Sequence, residues 1–215
     1  MLENLVKQIG RELTPVALGA AMLLEAGCAT TVKTIPPSEI PPIQPAEMPV
    51  DKQTDYSKLS WQEAIAAVKT PEQARDYLDR HLTYEPATSL RSFAAIRKDG
   101  RGSCFDYSLV AAALLSDNGY KPSVLMMGLS NTAPIHAAFL YRTPEGYSAL
   151  GNLSCCRNNY STVSDLVKAF AKYSGINFDR YYILDLEQTF PKGEWLTGGD
   201  LPELLVADSE WFKVR

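Results

Sequence analysis

The stretch RGSCFDYSLVAAALLSDNG, residues 101–119, decides how the rest of this chain is interpreted. The glycines around its start, Gly100 and Gly102, supply the flexible backbone of a loop. An apolar run then extends to Gly119, which stands where the glycine that ends a helix is expected. We therefore predict a loop followed by a buried helix, with Cys104 in the first turn of that helix.

Cys104 stands where a reactive cysteine is expected. The first turn of a helix offers free N–H groups and the positive end of the helix dipole, which stabilise a thiolate, the nucleophilic form of cysteine. Asp106 falls in the same turn, where a carboxylate also suits the dipole. The alternative is that Cys104 is a small buried apolar residue, as most free cysteines are.

His136 is the candidate general base. Nucleophilic cysteine chemistry needs an imidazole that takes the thiol proton and later gives one to the leaving group. The chain has two histidines, and the other, His81, falls at the expected end of a helix, where a polar side chain has a structural reason. His136 begins a predicted strand and precedes two alanines, which leave room for another group. We expect it to approach Cys104 and, with the helix start, to lower the thiol pKa.

Asn152 is the candidate for the third group, which orients a catalytic histidine. It follows the return strand of a predicted hairpin that turns at residues 143–146. Because side chains alternate across a sheet, the loop length decides which residue shares a face with His136. A four-residue loop places Gly151 there, whereas a three-residue loop with a glycine bulge places Asn152 there. The triad requires the second arrangement or an equivalent bulge.

The remaining elements follow from capping patterns and hydrophobic periodicity. Capping boxes at Ser60 and Thr70 open helices that run to about Val68 and His81, and Ser89 is expected to cap a third helix to Lys98. Short apolar runs predict strands, and a helix ended by glycine lies between the last two of them; these segments are 122–129, 135–142, 147–150, 161–175 and 180–186. Helices first and mostly antiparallel strands afterwards make an α+β arrangement.

The N-terminal part of the chain predicts a leader followed by a linker. The apolar run 16–24 is too short to span a bilayer and has the length of a secretory signal core. The small residues before Cys28 resemble the lipobox of bacterial lipoproteins, in which that cysteine is lipidated, although Glu25 departs from the pattern. The alternative is an amphipathic helix that packs or stays loose. Six prolines within residues 36–49 favour an extended tether.

We expect four segments on this basis. They are a leader (1–28), a proline-rich linker (29–55), a folded domain (56–190) and a C-terminal extension (191–215) whose apolar residues suggest that it packs on the domain.

Composition excludes some classes of function. The formal net charge of -4 argues against nucleic-acid binding, because there is no basic excess to neutralise phosphates. The four cysteines form no disulfide framework and no CxxC pair, so we expect no metal and no cofactor. The adjacent Cys155 and Cys156 are interpreted as small residues near a strand end, with a redox or metal role as the minor alternative.

The order and spacing of these features resemble the transglutaminase-like superfamily of papain-fold enzymes. The likeness covers residues 61–152: a helix that leads to Tyr84, a Gly-x-Cys-x-Asp-Tyr motif at 102–107, the helix ending at Gly119, and His136-Ala at the start of a hairpin. The resemblance implies a papain-like core in which the nucleophile helix packs on an antiparallel sheet.

The same resemblance assigns roles to the site residues. It implies that Cys104 is the nucleophile and His136 the base, and that the oxyanion is held by the Cys104 N–H with Tyr84, while Asp106 supports the site. The family's aspartate on the return strand is replaced at or next to Gly151. Asn152 follows it, and asparagine in this role resembles papain-type peptidases.

The resulting hypothesis is thiol-dependent acyl transfer on a peptide or side-chain amide. As a cysteine peptidase, amidase or transamidase, the protein forms a thioester between the Cys104 thiolate and an amide carbonyl, and water or an amine then resolves it. The expected substrate is a peptide or protein, with a peptidoglycan peptide as one candidate. The expected location is the cell envelope, through a lipid at Cys28, with the cytoplasm as the alternative.

Two alternatives stay open. The first is a transglutaminase-like domain that has lost catalysis and binds a protein or a glycan, which the missing aspartate suggests; a buried His136 without a route to solvent favours it. The second is an unrelated α+β protein in which Cys104 and His136 never meet.

Overall fold

A computed structural model of the chain describes residues 30–43, 58–86, 89–130, 134–153, 159–191, 193–205, 207 and 210–215. The predicted leader with Cys28, the second half of the predicted linker, and Cys155 with Cys156 lie outside these described residues.

The described elements make a mixed α+β fold, which confirms the predicted class. The strands are β1 (Thr30–Thr31), β2 (Thr83–Tyr84), β3 (Arg101–Gly102), β4 (Ser123–Gly128), β5 (His136–Thr143), β6 (Gly146–Leu150), β7 (Arg180–Asp185), β8 (Leu204–Leu205) and β9 (Phe212–Lys213). The helices are α1 (Trp61–Ala67), α2 (Pro71–His81), α3 (Phe93–Asp99), α4 (Cys104–Leu115), α5 (Val163–Ser174), α6 (Leu186–Thr189) and α7 (Glu194–Thr197).

One five-stranded antiparallel sheet organises these elements. Its strand order is β6-β5-β4-β7-β9, and β4 lies at its centre, paired with β5 on one side and β7 on the other. Two short parallel pairs, β1 with β8 and β2 with β3, stand outside it. The pair β2–β3 holds Tyr84 beside Gly102, directly before the helix that begins at Cys104.

Local capping explains where the helices begin. Ser60, Thr70 and Ser103 are N-caps in full capping boxes, in which the cap side chain and the third helical residue bond each other's backbone N–H. The first two boxes confirm the prediction. The third predicted helix starts later than expected, because Ser92 and not Ser89 accepts the capping hydrogen bond.

Helices cover both faces of the main sheet. Alternate residues of its strands point to opposite sides, so one face packs on α4 and the other on α5. The strand residues on the α4 face include Val124, Met126, Ala137, Phe139, Tyr141, Tyr182 and Leu184. Those on the α5 face include Leu125, Met127, Ala138, Leu140, Ala149, Tyr181 and Ile183.

The first half of the predicted linker is part of the folded structure. Val32, Ile35 and Ile40 are buried, and their neighbours form bridges to the main sheet, Thr34 with Leu184 and Pro42 with Arg142. Prolines do not prevent this packing, because the segment lies along the sheet with few ladder bonds of its own and an extended proline backbone fits such a path. The expected boundary near residue 56 therefore does not mark where the packed structure begins.

The C-terminal stretch also contributes to the packed structure. Trp195 and Leu201 are buried in the core on the α4 face. Residues 212–213 form β9, which pairs with β7 at the edge of the main sheet. Within the described ranges, no helix has both the length and the apolar character needed to cross a membrane.

Candidate functional site around Cys104

Cys104 is the first residue of α4, as predicted, and it is half-buried. The helix begins there because Asp106 Oδ2 accepts the Ser103 N–H at 2.8 Å and the Ser103 hydroxyl accepts the Asp106 N–H. Arg91 donates a second hydrogen bond to Asp106 Oδ2, also at 2.8 Å. Asp106 is thus buried and forms an ion pair with Arg91. Its structural role is to cap the start of the helix.

The loop before Cys104 needs a glycine. A Cβ atom added at Gly102 would lie 2.6 Å from the Asp106 Cβ, which is closer than such atoms approach. Gly102 therefore lets the strand β3 run against the first turn of α4. This close approach is a physical reason for the spacing of glycine, cysteine and aspartate in the motif.

Backbone N–H groups lie close to the Cys104 thiol, and neither histidine side chain of the protein lies beside it. Burial raises the pKa of the thiol above its ordinary value, the N–H groups of Ala137, Phe105 and Cys104 itself oppose that rise, and the Asp106 carboxylate adds to it. The expected lowering of this pKa is therefore wrong, because desolvation outweighs the helix start.

Tyr84 is brought to Cys104, as the family resemblance implies. It is half-buried on β2, opposite Gly102. Burial raises the pKa of its hydroxyl, and the nearby Cys104 adds to the rise. The Tyr84 ring also lies 6.5 Å from the ring of Tyr107, whose hydroxyl donates to the Leu82 carbonyl at 2.7 Å.

His136 is not brought to Cys104. Its ring packs against Phe170 of α5, with 5.4 Å between centroids, and against Phe178, with 6.2 Å. The residue is 8% exposed, and its Nε2 has no hydrogen-bond partner among the described residues. Burial lowers the pKa of His136 to about 4, so the imidazole is neutral at physiological pH.

The separation follows from the alternation of side chains along β5. Ala137 belongs to the core on the α4 face, and its N–H reaches the Cys104 thiol. His136 is the residue before it, so its side chain points to the α5 face. The sheet therefore stands between the thiol and the imidazole.

The β5–β6 hairpin has a shorter loop than expected. Thr143 pairs directly with Gly146, which leaves a two-residue loop. The three-residue loop that the triad hypothesis requires is therefore not formed. The register equals that of the four-residue alternative, which puts Gly151 and not Asn152 on the His136 face.

Asn152 accordingly falls on the other side from His136. A Cβ on Gly151 would lie 3.5 Å from the Ala138 Cβ, so Gly151 stands across from Ala138. Continuing the register places Asn152 across from Ala137, on the α4 face. Its Oδ1 is buried and has no partner within the described part of the chain. Asn152 does not orient His136 in this geometry.

Arg75 fixes the segment that carries Asn152. Its guanidinium donates to the Gly151 carbonyl at 2.6 Å and to the Leu153 carbonyl at 3.0 Å, on either side of Asn152. Asp79, one turn along α2, lies 3.6 Å from the same guanidinium. Sequence reasoning did not find Arg75. The sequence does contain one indication: Arg75 lies among apolar residues of the predicted helix. An arginine is buried in such a position only when other groups accept its hydrogen bonds.

A polar cleft of about 500 Å³ lies next to the start of α4. The described residues that line it are Glu85, Pro86, Ser89, Arg91, Asp99 and Arg101. Its charges are paired, since Arg91 lies 3.0 Å from Asp99 and Arg101 lies 3.6 Å from Glu85. Arg91 connects this cleft to Asp106 and so to the first turn of the Cys104 helix.

Histidine, cysteine and acidic side chains of the described ranges form no group of three able to hold a metal ion. No protein-family model matches the chain, and no curated protein matches it.

Proposed function

We propose that this chain is a transglutaminase-like domain that acts by binding a protein segment and not by cysteine catalysis. The observation that carries the proposal is the position of His136, whose buried ring packs on Phe170 and Phe178 across the sheet from Cys104. The only other histidine, His81, is stacked on Tyr77. Neither imidazole is available to take the proton of the Cys104 thiol, which cysteine peptidase chemistry needs.

The polar cleft beside α4 is the proposed binding surface. Its volume of about 500 Å³ falls in the usual range for ligand sites. Arg91, Arg101, Glu85 and Asp99 present both signs of charge, which suits the mixed charges and amide groups of a peptide. The described lining contains no aromatic residue on which a sugar ring would pack, so a protein partner is favoured over a glycan.

The proposed location is the cell envelope, with a lipid on Cys28 as the anchor. The support is the leader pattern alone: a short apolar run followed by small residues and a cysteine.

The second candidate is the acyl transfer that the resemblance implies, with Cys104 as nucleophile. A specific observation favours it: the N–H groups of Ala137, Phe105 and Cys104 lie at the thiol and lower its pKa, so they stabilise the thiolate that would attack an amide carbonyl. This function requires His136 to reach the α4 face. A shift of the start of β5 by one residue would do so, because it reverses the direction of the side chains.

Thiol labelling across pH separates the two candidates. Full-length wild type and the His136→Phe variant are treated with limiting iodoacetamide, and the modified peptides are quantified by mass spectrometry, with Cys104→Ala as the assignment control. For a binding domain we expect Cys104 to react only at alkaline pH, with the same profile in both proteins. Fast reaction below pH 7 that His136→Phe abolishes would overturn the proposal in favour of acyl transfer.

Peptide display tests the cleft itself. Random peptides are selected on the full chain and then measured on Arg101→Glu, which reverses a charge that lines the cleft. Lys98→Glu makes the same change on an exposed residue outside the lining. We expect Arg101→Glu to weaken the selected peptides and Lys98→Glu to leave them bound. Peptides that ignore Arg101→Glu, or a failure to select any, would contradict this binding surface.

A further inference from the structure

A second cavity lies among the first four helices, away from the polar cleft. It has a volume of about 70 Å³ and is lined by Trp61 of α1, Tyr77 and His81 of α2, Leu82, Phe93 and Arg97 of α3, Gly100, and Val110 of α4. Neither the Cys104 thiol nor the residues of the proposed binding surface contribute to its wall.

Half of the lining residues carry aromatic rings, and these rings pack on one another. Trp61 packs on Phe93 with 4.0 Å between ring centroids, and its edge contacts Tyr77 at 5.4 Å. Tyr77 is stacked on His81 with 4.0 Å between centroids and 18° between the planes. Because these rings pack on one another, a ligand that enters the cavity meets a preformed apolar surface.

Two residues of this wall carry buried nitrogen atoms that lack hydrogen-bond partners. Trp61 Nε1 and His81 Nε2 both have negligible solvent contact, and neither is bonded to any described residue. Trp61 as a whole is 8% exposed. An indole N–H is only a donor, so it needs an acceptor, and leaving such a donor buried without one is costly.

Arg97 adds a positive charge at the exposed side of the cavity. Its side chain is exposed, it lines the cavity, and its charge lowers the pKa of Tyr77 against the larger rise that burial causes. A cation that lines the same cavity as a residue with an unpartnered N–H favours a ligand that carries a negative charge on an acceptor group. A carboxylate has both properties.

The volume sets the size of the ligand. A dry cavity of about 150 Å³ admits benzene, so a cavity of about 70 Å³ admits only a ligand of a few non-hydrogen atoms. A carboxylate takes up three of these atoms, so the apolar tail against the rings is short, about one or two carbon atoms.

We infer that this cavity is a binding site for a small monocarboxylate with a short apolar tail. The carboxylate accepts hydrogen bonds from Trp61 Nε1 and, where its nitrogen is protonated, from His81 Nε2, and it lies near the Arg97 guanidinium. The tail packs on Phe93 and Val110. The site is independent of the proposed peptide cleft, since the two share no lining residue.

Propionate is the probe that tests this inference. Binding is followed on the full chain by the indole N–H signals in nitrogen-15 NMR, with Trp61→Phe used to identify the Trp61 signal among the three tryptophans. We expect propionate to shift that signal alone and saturably. Propylamine and 1-propanol, which match the tail but lack the carboxylate, should leave it unmoved, and hexanoate should be too long to enter.

Variants complete the test through ligand-observed NMR, which does not depend on the Trp61 signal. Trp61→Phe keeps an aromatic ring and removes the N–H donor, and it should weaken propionate binding about tenfold or more, as expected for a hydrogen bond to a charged group. Arg97→Gln should weaken it about two- to fivefold, the range for an exposed charge pair. Lys98→Gln, one residue away and outside the cavity, is the matched control.

The outcome that overturns the inference is equally direct. If propionate shifts all three indole signals without saturation, or binds Trp61→Phe as it binds wild type, its carboxylate does not bind at Trp61 Nε1 and the inference fails. Equal binding of 1-propanol would also overturn it, because the carboxylate would then contribute nothing. Since Arg97 is exposed, the Arg97→Gln comparison stays informative even if Trp61→Phe fails to fold.

Discussion

Arg75 donates a 2.6 Å hydrogen bond to the Gly151 carbonyl and so joins α2 to the end of β6, 76 residues further along the chain. The guanidinium side chain is 5% exposed. A buried arginine is retained where its donors are satisfied, and here two backbone carbonyls accept from it. The hydrogen bonds hold the turn around Asn152, where β6 has already left the ladder.

Replacing Arg75 should loosen this turn. We expect Arg75→Met to lower the free energy of unfolding by about 3 kcal/mol, because two charge-assisted hydrogen bonds are lost and two carbonyls are left without donors. Urea unfolding followed by circular dichroism measures the change. Asp79→Asn is the control, since it removes the exposed partner at 3.6 Å and keeps both carbonyl bonds; an equal loss in that variant would contradict the role given to the carbonyls.

His136 should make the stability of the protein depend on pH. Its pKa is lowered to about 4 in the folded protein, against about 6.5 in the unfolded chain. The unfolded chain therefore binds the proton first as pH falls, and folding is destabilised progressively between about pH 6.5 and 4, by up to ~3 kcal/mol. Well above pH 6.5 the imidazole is neutral in both states and the effect is absent.

The His136→Phe variant isolates this contribution. Phenylalanine keeps an aromatic ring against Phe170 and Phe178 and cannot titrate. We expect the loss of stability between pH 7.5 and 5 to be smaller in His136→Phe than in wild type, as measured by urea unfolding at both values. The control variant His81→Phe keeps His136, so the contribution of His136 to the pH dependence of the free energy of unfolding should remain. Identical pH dependence in wild type and His136→Phe would show that His136 is not buried in its neutral form.

Gly102 should not tolerate a side chain. We expect Gly102→Ala to cost about 1–3 kcal/mol, the usual range for added atoms in a packed site, because its Cβ meets the Asp106 Cβ at 2.6 Å. The displaced Asp106 would also weaken the cap of α4. Gly199→Ala is the matched control, as no atom lies within 4 Å of the added Cβ. Chemical unfolding of both variants provides the comparison, and similar losses would argue against a specific clash.

Ile40 tests whether the proline-rich segment belongs to the folded unit. It is 2% exposed in the core on the α5 face, so we expect Ile40→Ala to lower the free energy of unfolding by about 2–5 kcal/mol. Its exposed neighbour gives the control Glu39→Ala, which should change it by less than about 0.5 kcal/mol. A negligible effect of Ile40→Ala would mean that the segment is a linker after all.

Capping and periodicity predicted most elements of the fold. The boxes at Ser60 and Thr70, the helix that begins with Cys104 and the glycine that ends α5 are local signals, readable over a few residues. The sequence also contains the capping box between Ser103 and Asp106. The sequence interpretation gives Asp106 two other roles, a favourable interaction with the helix dipole and support of the catalytic site. Its structural role is the cap itself.

The face to which His136 points had no local signal. A strand that is polar on one side shows its orientation by alternation, but β5 is buried on both faces, and the two residues after His136 are both alanine. Either orientation satisfies such a pattern equally well. The register of the hairpin depended on a loop length that the residues Thr143 to Gly146 left open, and one residue of error reverses the faces.

The packing of residues 30–43 bears on how a lipid at Cys28 would place the domain relative to a membrane. An extended chain spans at most about 3.3–3.6 Å per residue, so the two steps from Cys28 to Thr30 reach no further than about 7 Å. If Cys28 carries a lipid, the tether is not the long proline-rich spacer but this short link. The corner where β1 pairs with β8 would then rest near the lipid headgroups, and the domain would have little freedom to swing away from the bilayer.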